Sequence, residues 1–318
     1  MQDEQIKLFT LIHVADQEIS IHNNFVTSME AQIRLYLLCA KQLAESLEEI
    51  GVVLTVITNN STYLKTLVPD YTYPVVQLSF SSHVPTGIRF FSAHYKFEVI
   101  HYLGSVADGY IGLVDSDIVC INAIPSGFKE AIEKKTWLYY DITEQVVPNM
   151  GSEVIISAKE RLLGAKASAL WAGGEFLAGP PAFFSDLDIE IGRLKDAYFA
   201  DFRAYPHQGD EMVLSAAIER LKLRLEIEDA GKLRVIGRFW SVSPLHQQQP
   251  VEAFADRFML HLPSDKPFIA KSNIRRQNRF LKRYKVYLIR KKLFRALFSP
   301  LIPYAKSLLK WSAKNKFS

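Results

Sequence analysis

Two carboxylates one residue apart, Asp115 and Asp117 with Ser116 between them, follow the apolar run YIGLV (110–114). A buried strand has no packing reason to end in a pair of acids. Where such a strand bends into a loop, side chains at i and i+2 can converge and ligate a divalent cation through oxygen, as Mg²⁺ and Mn²⁺ prefer. A plain strand-end turn, in which Asp and Ser are common, is the competing account. A second segment, FMLHLPSDKPF (258–268), places His261 after an apolar strand pattern and Asp265, Lys266 and Pro267 shortly behind it. The imidazole can complete a metal site, and the Lys266 ammonium can sit on a phosphate as a point charge. A half-buried histidine with satisfied hydrogen bonds is the alternative for His261.

The surrounding elements say how these groups would be held. IKLFTLIHV (6–14), VVLTVITNN (52–60), YPVVQLSFS (73–81) and GYIGLVDSDIVCIN (109–122) read as strands. Between the first two, Ile33, Leu37, Leu38, Leu43 and Leu47 recur at helical spacing, with Gly51 as a C-cap. TGIRFFSAHYKFEVIHYLGS (86–105) reads as a second amphipathic helix. Strands alternating with helices through right-handed crossovers predict an α/β fold with a mainly parallel sheet flanked by helices. Ligands bind such sheets beyond the carboxyl ends of the strands, which is where Asp115 and Asp117 fall. Past residue 125 the pattern is mixed: TWLYYDI, ALWAGGEFLAG, LRVIGRFW and DRFMLHLP suggest strands, and GDEMVLSAAIERL opens a helix.

The composition of the 318 residues, 48% hydrophobic and 23% charged, is that of a globular chain. The first residues carry acids and Gln where a signal peptide has a basic and then an apolar stretch, and no run of apolar residues reaches membrane-spanning length. A cytoplasmic location is therefore expected. Cys39 and Cys120, the only cysteines, cannot frame a zinc site; one disulfide between them is possible, although two core thiols suit a reducing compartment better. The formal net charge of +4 hides an asymmetry. Residues 271–318 hold 15 Lys and Arg and no acid, leaving 23 basic against 34 acidic residues in the body, a balance of −11. The predicted division is a body of residues 1–270 and a basic tail of 271–318.

With DSD at 115–117 and HLPSDKP at 261–267, the chain resembles retaining nucleotide-sugar glycosyltransferases of the GT-A fold, a Rossmann-like architecture, and most of all glycosyltransferase family 8. In that family an apolar strand ends in Asp-x-Asp, and a late His-x-x-Gly-x-x-Lys-Pro segment adds a third metal ligand and a phosphate contact. The resemblance implies that Asp115, Asp117 and His261 ligate Mn²⁺ or Mg²⁺ and that Lys266 meets a donor diphosphate. The glycine of the family's turn is absent from LPSD. ALWAGGEFLAGPPAFFSDL resembles the family's glycine-containing strand facing donor sugar and acceptor, with Gly173, Gly174 and Glu175 in its polar stretch and Ala172 in place of the polar residue before the glycines. A β-bulge is the other account of two strand glycines. YPHQGDEMVLSAA resembles the Asp-Gln-x-x-Leu-Asn segment of family 8 and the His-Asp-Glu segment of family 6. It points to His207, Asp210 and Glu211, with Glu211 as nucleophile or ion-pair stabiliser beneath the anomeric carbon. Acids at that place also suit an ordinary helix N-terminus. Ala15 and Asp16 match the turn that cradles the nucleotide base, and Lys96 stands where the family has an Arg reaching the diphosphate, although a solvated helix face explains Lys96 as well. The motif order spans roughly residues 6–270.

The chemistry implied is transfer of a sugar from a nucleotide-sugar, by family expectation a UDP-sugar, to a saccharide. A divalent cation would act as Lewis acid on the departing diphosphate, assisted by Lys266 and Lys96. Retention needs a nucleophile on the opposite face, for which Glu211 is the candidate by analogy with retaining glycosidases, or front-face attack by the acceptor. In the tail, Val286, Ile289, Leu293 and Leu297 form an apolar stripe among many cations, with Trp311 further on and Pro300 and Pro303 dividing it into two helices. Such a segment suits an anionic membrane surface, and with it a lipid-linked glycan acceptor such as lipopolysaccharide or capsule at the inner face of the cell membrane. A helix packed on the body with a solvated end is the plain alternative. Nucleic acid is not expected as a partner, because the acidic body would repel it. A catalytically silent sugar-nucleotide-binding protein is the alternative to an enzyme.

Overall fold

The structure, a computed structural model, describes residues 6–15, 26–106, 108–241, 248–272 and 277–298. The chain forms two compact units, Met1–Arg275 and Arg276–Ser318.

In the larger unit, strand β1 (Lys7–Leu11) leads to helix α1 (Met29–Glu48). The Ser28 hydroxyl accepts from the Ala31 amide and starts the helix; Ile33, Leu37, Leu43 and Leu47 bury its inner face. Gly51 lies two residues beyond the cap, with φ +74° turning the chain into β2 (Val53–Thr58). A short helix α2 (Ser61–Leu67), capped by the Asn60 side chain on the Tyr63 amide, then precedes β3 (Val75–Gln77).

The helix expected over 86–105 is shorter. Left-handed backbone at Gly87 (φ +82°) and Phe90 (φ +55°) delays it, a 3₁₀ turn spans Phe91–Tyr95, and α3 runs Lys96–Gly104. The apolar run 109–122 is also two strands, β4 (Ile111–Val114) and β5 (Ile118–Cys120), separated by the acidic turn. After α4 (Ser126–Glu133), β6 (Trp137–Asp141), α5 (Thr143–Met150) and α6 (Ser152–Leu163) comes the long buried strand β7 (Ala172–Gly179). Pro181 stands in the first turn of α7 (Pro181–Ala200), where its missing N–H costs nothing. The body is completed by α8 (Asp210–Lys222), β8 (Ile227–Asp229), β9 (Ile236–Arg238), β10 (Met259–His261) and α9 (Lys266–Ala270).

Seven strands form one sheet in the order β3-β2-β1-β4-β7-β6-β8. Its pairs are parallel except those made by β7, which runs antiparallel to both β4 and β6. The fold is α/β with a mostly parallel sheet flanked by helices. Because β7 is reversed, its first residues lie against the last residues of β4: Phe176 pairs with Val114, and the Asp115 amide donates to the Glu175 carbonyl. A second sheet, β5-β10-β9, starts on the far side of the acidic turn. The break between β4 and β5 thus joins two sheets, and the carboxylates sit at the joint.

Cys39 and Cys120 are free and buried. The smaller unit contains helix α10 (Gln277–Phe298). Among the described residues no helix is long and apolar enough to cross a membrane.

Candidate functional site

Three elements bring the acidic turn its partners. Strand β10 pairs antiparallel with β5 so that His261 faces Ile118, and the Leu262 amide donates to the Asp117 carbonyl at 3.1 Å. That register holds His261 Nε2 3.2 Å from Asp117 Oδ2 and 3.9 Å from Asp115 Oδ2. One ligand atom from each of Asp115, Asp117 and His261 lies within 4.8 Å of the others. Two carboxylate oxygens and one imidazole nitrogen at such spacing fit a divalent cation, with the imidazole favouring Mn²⁺ over Mg²⁺. Ser116 is buried in the turn between the two acids.

Two lysines flank the trio, Lys96 buried and Lys266 half-buried. Lys266, opening α9, donates to Asp117 Oδ2 at 2.6 Å and to the Pro263 carbonyl at 3.0 Å, above the Tyr36 ring. Lys96, opening α3, lies 2.7 Å from Asp115 Oδ1 and 3.1 Å from Asp210 Oδ2 and donates to the Gly174 carbonyl. Burial alone would push both ammonium groups down, but their carboxylate partners outweigh it and hold them above the usual lysine range. Burial likewise works against the Asp117 anion, yet Lys266 and His261 keep its carboxyl well below the ordinary range. Asp115 is held above that range, chiefly by burial, with Lys96 acting against the rise.

Behind the imidazole stands Glu175, 1% exposed, with Oε1 3.4 Å from His261 Nδ1 and 3.5 Å from Arg238 Nε. Burial opposes its charge, but Arg238 and His261 bring it down to about 2. His261, pushed down by burial and up by Asp117 and Glu175, reaches about 9. A metal would therefore displace a proton from this ring. The same Arg238 continues the chain of charges to Glu211, its Nη1 lying 3.2 Å from Oε1, while the Trp171 indole donates to Oε2 at 2.8 Å. His207 is next to that carboxylate, 3.8 Å away, and stacks on Phe90.

The structure thus brings together Asp115, Asp117, His261, Lys266, Lys96, Asp210 and Glu175 directly, and Glu211 and His207 through Arg238. The strand glycines have a local purpose. A Cβ on Gly173 would strike the Glu175 carboxylate, and one on Gly174 would strike Asp210 and crowd Lys96. The bulge account of this stretch holds as well: pairing with β6 jumps from Leu177 opposite Tyr139 to Gly173 opposite Tyr140. Ala15 is half-buried just past β1, where Val14 and the Asn59 side chain exchange two hydrogen bonds. Asp16 lies outside the described residues. Beside Ala15, His13 stacks on Tyr95 at 4.1 Å and bonds Ser92.

Sequence reasoning missed Arg238, which connects Glu175 to Glu211, and Trp171, which holds Glu211 from the other side. Arg238 carried a readable signal, a lone cation inside the apolar run VIGRF, since a buried charge is retained only when paired. Its contacts with Gln145 Oε1 at 3.2 Å and, through its amide, with the Tyr140 hydroxyl at 3.1 Å come from distant segments and carried none.

The chain matches no protein-family model and no curated protein sequence.

Proposed function

We propose that the protein is a metal-dependent retaining glycosyltransferase of GT-A type, of the hexosyltransferase class, taking its sugar from a nucleotide-sugar, by family resemblance a UDP-sugar. The observation that carries this reading is the convergence of Asp115, Asp117 and His261 at the carboxyl end of β4, with Glu175 on the far nitrogen of the imidazole. Carboxylate-supported histidines are characteristic of metal ligation. The sheet order, with one reversed strand carrying Gly173–Glu175 to the site, is compatible with that fold. When bound, Mn²⁺ or Mg²⁺ supplies Lewis acidity to a departing diphosphate.

The chain's own residues do the rest. Lys96 and Lys266 give positive charge on either side of the trio, each held by one of its carboxylates until a diphosphate competes for it. Glu211, oriented by Trp171 and Arg238, is the candidate for stabilising or attacking the anomeric carbon, and Asp210 fixes Lys96 from the helix N-terminus. In this reading the acceptor is a lipid-linked surface saccharide, which the basic helix α10 supports: its Ile289, Leu293, Phe294 and Leu297 are each at least 58% exposed among Lys and Arg. Exposed apolar side chains among cations support peripheral binding to an anionic membrane at its inner face, although over the whole of α10 the two kinds are not parted into opposite faces.

A catalytically silent nucleotide-sugar-binding protein is the second reading, favoured by one observation: Lys96 and Lys266 already occupy Asp115 and Asp117. Calorimetric titration with UDP, with and without Mn²⁺, tests the site, and donor hydrolysis tests turnover. Mn²⁺-dependent UDP binding that Asp117→Ala abolishes, with slow release of sugar from a UDP-sugar, supports the enzyme. Binding without any turnover supports the silent protein, and equal binding in wild type and variant removes the acidic pair from the metal site and overturns the metal-dependent enzyme.

A further inference from the structure

On the helical layer of the body, well away from the acidic turn, lies an open cleft of about 360 Å³ between the C-terminal halves of α6 and α8 and the middle of α7. Its chemistry is set by one carboxylate. Glu190, 2% exposed, accepts from three arginines: Arg193 Nη1 at 2.7 Å and Arg224 Nη2 at 3.0 Å on Oε1, and Arg220 Nε at 2.6 Å on Oε2. Lys166 adds a fourth cation to the lining, which Leu163, Ala165 and Leu223 share as apolar members. The other acid of the cleft, Glu219, is spent elsewhere: the fully buried Lys159 pairs with Oε2, and the Ser168 amide donates to Oε1 at 2.6 Å. Five cations therefore surround two carboxylates, an excess of three positive charges.

Stability does not ask for this arrangement. One arginine would satisfy a buried glutamate, whereas three guanidiniums drawn to one point repel each other. What they gain is orientation. A guanidinium carries five N–H donors, so one bond each to Glu190 fixes the forks without exhausting them. The arginine side chains keep 37–54% of their surface open. Preoriented, half-exposed guanidiniums over a cleft of small-ligand size match the geometry of a phosphate, which takes paired N–H donors.

We propose that this cleft is a second anion site, which binds a phosphate group through Arg193, Arg220, Arg224 and Lys166. It is separate from the Asp115–Asp117 centre: Arg220 stands ten residues along α8 from Asp210, about 15 Å at 1.5 Å per helical residue. The phosphate is carried either by a free small molecule or by a lipid headgroup, since both present the same oxygens.

The test is calorimetric titration of the full chain with inorganic pyrophosphate, in EDTA and low salt. Arg193→Gln/Arg224→Gln is expected to weaken binding by at least about tenfold, the loss of two charge-assisted contacts. Lys166→Gln, which leaves the Glu190 bonds intact, is expected to weaken it less; it serves alone if the double variant does not fold. No pyrophosphate binding by the wild type, or equal affinity in wild type and variants, overturns the site. Once the variants lose pyrophosphate, sedimentation with phosphatidic acid vesicles names the carrier. Weaker vesicle binding by the variants assigns the phosphate to a lipid, and unchanged vesicle binding assigns it to a free molecule.

Discussion

Glu175 Oε1 lies 3.4 Å from His261 Nδ1, an ion-pair contact not aligned as a hydrogen bond, while Nε2 faces Asp117 at 3.2 Å. A carboxylate on the far nitrogen fixes an imidazole's orientation and makes the ligating nitrogen more basic. Glu175→Gln keeps the shape and removes the charge. Its Mn²⁺ affinity, read by electron paramagnetic resonance of the free ion, is expected to fall by roughly 10–100-fold. Affinity equal to wild type would remove Glu175 from the support of the site.

Lys96 is shared by Asp115 and Asp210, and its side chain is 9% exposed. Without it two neighbouring carboxylates lose their common cation. Breaking a buried pair costs about 3–5 kcal/mol, and the figure here is discounted to roughly 2–3 because Asp115 keeps 28% of its side chain open. Lys96→Met is expected to melt earlier than wild type in EDTA. Mn²⁺ should then raise its Tm by more than it raises the wild type's, because the cation takes over the charge that the lysine carried. Equal Mn²⁺ shifts in the two proteins would mean that Lys96 and the metal act on separate groups.

The parts of the site that could be read beforehand share a property. Asp115, Asp117 and His261 each interrupt an apolar strand pattern, and a polar residue there stands out against a period of two. The α/β class was legible for the same reason, because β1, β2 and β4 are apolar runs separated by helical spacing. That the strand ends at the acids was legible; that a second strand, IVC, follows in another sheet was not, since it is as apolar as YIGLV and its partner β10 is distant in sequence. The late start of α3 depends on a left-handed Phe90, a conformation that composition does not announce. The charge relay from Glu175 through Arg238 to Glu211 joins β7, β9 and α8, and no local pattern encodes a contact among three distant segments. Trp311, Pro300 and Pro303 of the tail lie outside the described residues.

In α10, Ile289 is 60% and Leu293 58% exposed, four residues apart on one face. If that stripe enters a headgroup region, charge on it is costly there and cheap in water. Ile289→Asp/Leu293→Asp should leave the unfolding stability within about 1 kcal/mol of wild type. Co-sedimentation with phosphatidylglycerol vesicles should fall by at least about tenfold, since two apolar side chains of roughly 1.5 kcal/mol or more each leave the interface. Undiminished sedimentation would assign membrane binding to charge alone or to another surface.

His94 gives the body a specific sensitivity to acid. It is 1% exposed; its ring packs on Tyr198, Phe199 and Phe97, its Nδ1 contacts the Phe91 carbonyl at 3.4 Å, and Nε2 is buried without a hydrogen-bond partner. Burial pushes its pKa down to about 4, although Asp210 pulls the other way. In the unfolded chain the same ring titrates near 6.5. Between those values the unfolded state holds a proton that the folded state refuses, so stability rises with pH across the window. The contribution is whole above about pH 6.5 and is lost as pH falls towards 4; by pH 5 the loss is about 2 kcal/mol, at 1.36 kcal/mol per pH unit. His94→Phe has no proton to take up and suits the aromatic surroundings. Urea unfolding at pH 7 and pH 5 should therefore show the wild type losing about 2 kcal/mol more than the variant. Parallel losses in the two proteins would mean that His94 is already protonated in the folded chain, with the Asp210 charge outweighing burial.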